Sequence, residues 1–187
     1  MVKKLLFFGL MIVGLVFLGA CSNNNPTEPT DAPAVGSTPD SGLIVELGSQ
    51  VENIAIEDVC HKYWFRIDVE SGTDYVFRTY DLTTDGAGND TDTYMYLFNE
   101  NDKNELTEMD IADLEDNYTT YNDDCGGTLC GSNTHGTEEE RQSTIIWNAT
   151  YTGTVYICVT TYECVYGHNL DNTVNPAYSF EFFIPAP

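Results

Sequence analysis

The sequence predicts an all-β fold, an antiparallel β-sandwich or jelly roll, over residues 43–187. Three observations support this prediction. Apolar and polar residues alternate with a period of two, the alternating runs are rich in Val, Ile, Thr, Tyr, Phe and Trp, and clusters of Gly, Asn, Asp and Ser separate the runs. Only the stretch from Leu106 to Leu114 suggests a helical turn.

The first twenty residues have the pattern of a secretory signal. Lys3 and Lys4 precede an apolar run over residues 5–18, which is shorter than the roughly 20 residues that a membrane-spanning helix needs. The Leu-Gly-Ala-Cys segment that ends at Cys21 resembles the lipobox of bacterial lipoproteins, which implies that this cysteine is diacylated and becomes the first mature residue. We therefore expect an exported protein, lipid-anchored to the bacterial cell envelope at the outer membrane or the outer face of the plasma membrane.

We predict that residues 21–42 consist of the lipidated cysteine followed by a disordered tether. The segment is rich in Pro, Ser, Thr and Asn and contains no aromatic residue. It buries too little apolar surface to offset the entropy lost on ordering.

The charge of the chain excludes one class of partner. The sequence has 7 Lys and Arg against 30 Asp and Glu, so removing Lys3 and Lys4 with the signal leaves a net charge of −25. Such a surface repels phosphate backbones, and we expect no nucleic-acid binding. Adaptation to high salt produces the same acidic excess.

The predicted strands follow one another with turns between them. In the run from Tyr63 to Val69, Phe65 and Ile67 fall on one face, while Arg66 falls on the other. Turn-forming residues at 71–74 then lead into a returning strand. The predicted strands are 43–47, 51–56, 63–69, 75–80, 93–98, 144–147, 154–160 and 178–183.

Six short segments, in this order, resemble the bacterial pre-peptidase C-terminal domain. They are Tyr63-Trp-Phe-Arg-Ile-Asp-Val-Glu-Ser-Gly72, Asp92-Thr-Tyr-Met-Tyr-Leu-Phe98, Asn122-Asp-Asp124, Ser143-Thr-Ile-Ile-Trp147, Thr152-Gly-Thr-Val-Tyr-Ile-Cys-Val159 and Ala177-Tyr-Ser-Phe180. The resemblance covers residues 43–184 and implies a jelly-roll sandwich of the kind appended to secreted proteases and other exported proteins. Residues 99–122 are longer than the family's usual connection, and we expect the domain to stand alone on its anchor, without a protease domain before it.

Two acidic loops form the best candidate site. Asp90 and Asp92 end a Gly-rich loop that leads into a strand, and Asp123 and Asp124 lie in the loop that the family places near the start of that strand. Carboxylate oxygens on such loops suit Ca²⁺, and some relatives of the fold, including collagen-binding modules, hold calcium. We expect a calcium site at these four carboxylates; the alternative is a solvated acidic face.

Five cysteines remain when the lipidated one is set aside, and an exported protein is expected to form disulfides. We expect one bridge between Cys125 and Cys130, because the glycines between them allow a small loop. For the second bridge we favour Cys158 and Cys164, which leaves Cys60 free. A zinc site built from the same four cysteines is the alternative.

Alternating aromatic residues suggest an outward platform for flat ligands such as glycans. We favour the alternative that one sheet face packs against the tether or against the long segment after Asn99. The residues concerned are Trp64, Tyr94, Tyr96, Tyr151, Tyr156 and Tyr162.

The sequence offers little support for catalysis. The three histidines, His61, His135 and His168, lie in different segments, and neither a Gly-x-Ser-x-Gly nor a His-Glu-x-x-His pattern occurs. We therefore expect a non-catalytic cell-surface module that binds protein or polysaccharide. A self-associating subunit of a surface layer or extracellular filament is the first alternative, and an uncharacterised hydrolase is the second.

Overall fold

Two β-sheets packed face to face form the domain. The structure, a computed structural model, describes residues 35–56, 60–83, 91–125, 141–167 and 177–186, and all of them belong to the unit Pro33–Pro187. In chain order, the elements are β1 (Leu43–Ile44), β2 (Gln50–Ala55), β3 (Tyr63–Val69), β4 (Asp74–Tyr80), β5 (Thr93–Phe98), α1 (Glu100–Glu105), α2 (Ile111–Asn117), β6 (Thr120–Asn122), β7 (Thr144–Asn148), β8 (Gly153–Thr161), α3 (Tyr162–Tyr166) and β9 (Ala177–Phe183).

The strands divide into a five-stranded sheet and a four-stranded sheet. The five-stranded sheet has the order β1-β3-β8-β5-β6, and the four-stranded sheet has the order β2-β9-β4-β7. The strand pairs are antiparallel except for β1 and β3, which are parallel. The predicted all-β sandwich is confirmed.

The core lies between the sheets and follows the predicted alternation. Phe65, Ile67 and Val69 of β3 are all buried in it. Phe65 stacks on Phe180 of β9 with ring centroids 4.0 Å apart, which joins the two sheets directly. Since apolar burial contributes about 25 cal/mol per Å², these paired rings stabilise the packing of the two sheets.

The first two predicted strands differ from the observed ones. β1 is limited to two residues, because a turn follows in which the Ser49 N–H donates to the Glu46 carbonyl at 2.9 Å. In β2 the register with β9 shifts between Val51 and Ile54. The one-residue shift is a β-bulge, with Asn53 at φ 56°.

Residues 35–42 pack on the sheet, so the boundary predicted at residue 43 falls inside the described fold. Gly36 has φ 82°, and a Cβ there would lie 2.7 Å from the Tyr63 ring. Its carbonyl accepts the Trp64 N–H at 2.7 Å. Farther along, Asp40 forms an ion pair with Lys103 of α1 at 3.0 Å.

Helices α1 and α2 occupy the long connection between β5 and β6. Asn99 caps α1 by accepting two backbone N–H groups, and Asp110 caps α2 by accepting the N–H of Asp113. The Asp113 carboxylate also accepts three N–H groups of the turn before α2, at 2.8–2.9 Å. The helical turn predicted between Leu106 and Leu114 is thus only partly right, because α2 begins at Ile111.

No helix of the described residues is long and apolar enough to cross a membrane. The predicted signal, Cys21 and most of the predicted tether lie outside those residues, as do Asp90 and Cys130.

Candidate functional site

The predicted aromatic platform is buried. Trp64 and Tyr96 are 0% exposed, Tyr94 is 3% exposed and Tyr156 is 4% exposed. They form a second apolar cluster on the outer face of the five-stranded sheet, together with Leu114 of α2 and residues of α3. Tyr151 and Tyr162 are only partly exposed. The alternative in which the long segment after Asn99 covers this face is therefore correct.

A different set of tyrosines reaches the surface at the edge of this cluster. Tyr118, Tyr121 and Tyr166 are 36%, 47% and 53% exposed, and we call them the tyrosine surface. Tyr118 and Tyr121 are in edge contact with centroids 5.0 Å apart, while Tyr121 stacks on buried Tyr94 at 5.6 Å. Tyr166 contacts the same Tyr94 ring at 6.4 Å. Two of the exposed rings, Tyr121 and Tyr166, thus contact one buried ring, and Tyr118 contacts the Tyr121 ring.

The sheet and the helices position these rings. Tyr121 lies on the edge strand β6, opposite Tyr96 of β5, and Tyr118 is the C-cap residue that follows α2. Tyr166 is held by α3, whose cap residue Thr161 accepts the Cys164 N–H at 3.2 Å. Burial, together with Tyr166 and Tyr121, raises the pKa of Tyr94, so this phenol stays protonated at neutral pH.

The carboxylates of Asp92, Asp123, Asp124 and Glu163 lie near one another at the start of β5, and we call this region the acidic end. Register explains the grouping. Met95 pairs with Asn122, so Asp123 and Asp124 run back alongside the start of β5. Thr93 pairs with Thr161, and the Tyr162 N–H donates to the Asp92 carbonyl at 3.0 Å, which brings α3 to the same place.

Asp92 is the most perturbed carboxyl of the acidic end. Burial and the Glu163 charge raise its pKa to about 7; Arg141 opposes the shift, and Asp124 and Asp123 add to it. Its Oδ1 atom is buried and has no hydrogen-bond partner among the described residues. The carboxylates of the acidic end therefore repel one another, and a bound proton or cation would reduce this repulsion.

The structure brings together part of the predicted calcium site. Asp92, Asp123 and Asp124 interact electrostatically, and Glu163, which the sequence did not nominate, belongs with them. Within the described ranges, no three His, Cys, Asp or Glu side chains are arranged to hold a metal ion. Asp90 lies outside those ranges.

The predicted cysteine pairing is wrong for the second bridge. Cys60 is bonded to Cys164, with Cα atoms 4.8 Å apart, and Cys158 is a free, buried thiol. The reason is register. Tyr63 of β3 pairs with Val159 of β8, so the chain before β3 runs beside the start of α3, and Cys60 reaches Cys164.

The remaining described cysteine, Cys125, is disulfide-bonded, and its predicted partner Cys130 lies outside the described residues. Since Cys125 and Cys164 are both oxidised, the alternative zinc site with four thiolate ligands is not formed.

No family model matches the chain, and no curated protein matches it. Among solved structures, the chain is similar to the pre-peptidase C-terminal domain of a collagenase from Bacillus anthracis, with 15% identity and a TM-score of 0.43. The match covers 75% of this chain and 93% of that chain. The solved domain bears the name of the family that the sequence resembles, and membership of that family stays a prediction.

Proposed function

We propose that the protein is a non-catalytic binding module, held at the outside of the bacterial envelope by a lipid on Cys21, and that it binds a basic protein segment through the tyrosine surface. The supporting observation is the group of three exposed tyrosines, of which Tyr121 and Tyr166 contact buried Tyr94 and Tyr118 contacts Tyr121. Exposed aromatic side chains in mutual contact are typical of protein interfaces, because they offer large, rigid contact area with a hydroxyl at the tip.

The charges beside these rings favour a basic partner. Asp123 and Glu115 act on the pKa of Tyr94, so their carboxylates lie within electrostatic reach of the tyrosine surface. Lys and Arg side chains bind both features, the ring face by cation–π attraction and the carboxylate by an ion pair. The net charge of the chain also steers basic partners toward it over long range.

The test measures binding of the full chain to an immobilised Lys-rich peptide and to immobilised dextran, a neutral polysaccharide. We expect binding to the peptide that weakens in salt and that falls at least tenfold when Tyr121 and Tyr166 are both changed to Ser. The control is Ile146→Ser, which removes an apolar side chain that is 62% exposed, somewhat more than either tyrosine, from the other sheet. Any acidic protein attracts a polycation, so binding to the peptide is not by itself support for the tyrosine surface. Equal binding by the tyrosine variant and the control would contradict the proposal. Binding to dextran alone would instead identify a polysaccharide ligand.

The anchor is tested separately. With Cys21→Ser, we expect an uncleaved precursor that no longer incorporates labelled palmitate, since only a thiol forms the thioether link to the lipid. Normal labelling of this variant would contradict the lipid anchor without affecting the binding proposal.

A subunit that assembles edge to edge is the second candidate, and β7 favours it. This strand is the last in the order of the four-stranded sheet, carries no charged residue and exposes Ile146. An uncharged edge offers a strand-pairing site where the rest of the surface repels its own copies. Assembly would appear as an increase in sedimentation coefficient with concentration, and Ile146→Lys should suppress it. A monomer at all concentrations would contradict this candidate.

We also propose that calcium stabilises the acidic end, with Asp90 as a further ligand. Support comes from the repulsion at Asp92, which a dication would reverse. At a hundredfold excess over Kd, calcium should stabilise the fold by about 2.7 kcal/mol, while magnesium at equal ionic strength does much less. The double variant Asp92→Asn, Asp124→Asn should abolish this difference. Equal effects of the two ions on wild type would mean that screening alone is at work.

A further inference from the structure

A cleft of about 330 Å³ lies between the start of α1 and the turn that joins β7 to β8. Trp147 and Tyr151 form its aromatic wall, and Glu100, Asn101 and Thr119 are part of its polar rim. Ligand pockets usually range from about 300 to 1,000 Å³, so this cleft admits a single sugar ring or a molecule of similar size.

The two aromatic rings form an angled wall. Their centroids are 6.0 Å apart and their planes meet at 67°. Trp147 is partly exposed, whereas Trp64 is fully buried. In the described part of the chain, the Trp147 indole N–H makes no hydrogen bond. A ring face with an available donor at its edge suits a pyranose, because the sugar's C–H groups pack on the ring while a hydroxyl accepts from the N–H.

The polar rim is held in place before any ligand arrives. The Tyr156 hydroxyl donates to Glu100 Oε2 at 2.5 Å. Asn99 accepts the backbone N–H of Asn101 at 2.8 Å, and its amide group donates to Thr119 Oγ1 at 3.2 Å. Side chains fixed in this way lose little entropy on binding, so weak individual contacts with a ligand are sufficient.

The charge of the rim selects against anions. The hydrogen bond from Tyr156 lowers the pKa of Glu100, which is therefore a carboxylate at neutral pH. The neighbouring cation, Lys103, is already paired with Asp40 at 3.0 Å and with Glu100 at 3.4 Å. An acidic sugar would meet a negative charge without a free positive one, whereas neutral hydroxyls can donate to the carboxylate.

We propose that this cleft binds one neutral pyranose ring of a glycan, stacked against Trp147 and Tyr151, with Glu100 accepting hydrogen bonds from its hydroxyls. The cleft shares no residue with the tyrosine surface. The protein would therefore have a glycan-binding site in addition to the proposed site for a basic protein segment.

Trp147 provides the readout, since Trp64 is buried away from solvent. The full chain is kept in a detergent that has no sugar headgroup. It is titrated to about 50 mM with the methyl glycosides of glucose, galactose, mannose and N-acetylglucosamine. For so small a site we expect a Kd near 1–10 mM. At least one glycoside should change the tryptophan emission saturably. Trp147→Phe keeps an aromatic ring and should remove the signal.

The matched pair of variants is Glu100→Gln and Glu105→Gln, two changes of the same charge on the same short helix. Glu100→Gln should raise Kd at least about fivefold, since a charged hydrogen-bond acceptor is lost, and Glu105→Gln should leave Kd unchanged. Melting curves verify that each variant is folded, and if Trp147→Phe is not, the glutamine pair decides. No saturable change with any glycoside, equal Kd values for the two glutamine variants, or equally tight binding of methyl glucuronide would each overturn the proposal.

Discussion

Replacing Asp92 by Asn should stabilise the fold at alkaline pH and not at acidic pH. The pKa of Asp92 is raised from 3.8 to about 7 by burial and by the Glu163 charge. Between these two values the folded protein holds a proton that the unfolded chain has released. The free energy of unfolding therefore falls as the pH rises through this window, and the loss is complete above about pH 7.

The magnitude follows from the shift. One pKa unit corresponds to about 1.4 kcal/mol, so the full shift has an upper limit of about 4 kcal/mol. Asp92 is only partly buried, and water and counter-ions reduce that limit, so we expect a gain of about 1–2 kcal/mol for Asp92→Asn at pH 8. For a domain of this size, the melting temperature should rise by about 3–6 °C.

Urea unfolding followed by circular dichroism at pH 4 and pH 8, in the presence of a chelator, measures this effect. The control is Asp116→Asn, which removes one charge from an exposed position of α2. The reasoning is refuted if Asp116→Asn gives the same gain at pH 8. It is also refuted if Asp92→Asn gives an equal gain at pH 4, where the wild-type carboxyl is already protonated in the folded state.

Three further predictions concern single contacts. Changing Cys60 to Ser opens a disulfide that spans 104 residues and should lower the free energy of unfolding by about 2–5 kcal/mol. Disulfide mapping of the wild-type protein by mass spectrometry gives the pairing directly, and a bond from Cys158 would contradict the Cys60–Cys164 pair. Although burial opposes the shift, backbone hydrogen bonds lower the pKa of Asp113. The stability that this carboxylate adds to the fold is therefore present above about pH 4 and is lost as the pH falls through the lowered pKa. Asp113→Asn should therefore destabilise by about 1–3 kcal/mol at pH 7 and by less at pH 3, and an equal loss at both would contradict this account. Gly36→Ala should destabilise more than Gly48→Ala, as seen in melting temperature, because both glycines have positive φ but only the first would clash with a neighbour.

The strands of five or more residues could be predicted because they are long enough to show their period, whereas β6, with three residues, was missed. Tyr63–Val69 alternates over seven residues, and the structure buries the predicted face in the core. The tyrosine surface was missed because Tyr121 and Tyr166 lie on elements of three and five residues, in which no period can be recognised. Whether an aromatic residue is buried also depends on what covers the sheet, and α2 comes from a segment without a strong pattern.

Glu163 at the acidic end and the Cys60–Cys164 bridge were missed for a related reason. Asp92 and Glu163 meet only because β5 pairs with β8, and Cys60 meets Cys164 only because β3 pairs with β8. Local sequence does not specify which strands are neighbours, so it did not indicate that Cys60 is the partner of Cys164.

The strand order of the five-stranded sheet determines how the domain would carry mechanical load. The chain enters this sheet at β1, one edge, while Tyr121 lies on β6, the opposite edge. A pull between a bound partner and the predicted N-terminal tether would thus cross four strand spacings, about 19 Å, at right angles to the strands, where hydrogen bonds open pair by pair. β1 has two paired residues, the fewest among the ladders of this sheet. Under tension, residues 35–42 and then β1 should peel from β3 first, which adds extended chain on the N-terminal side while the sheet that holds the tyrosine surface stays intact.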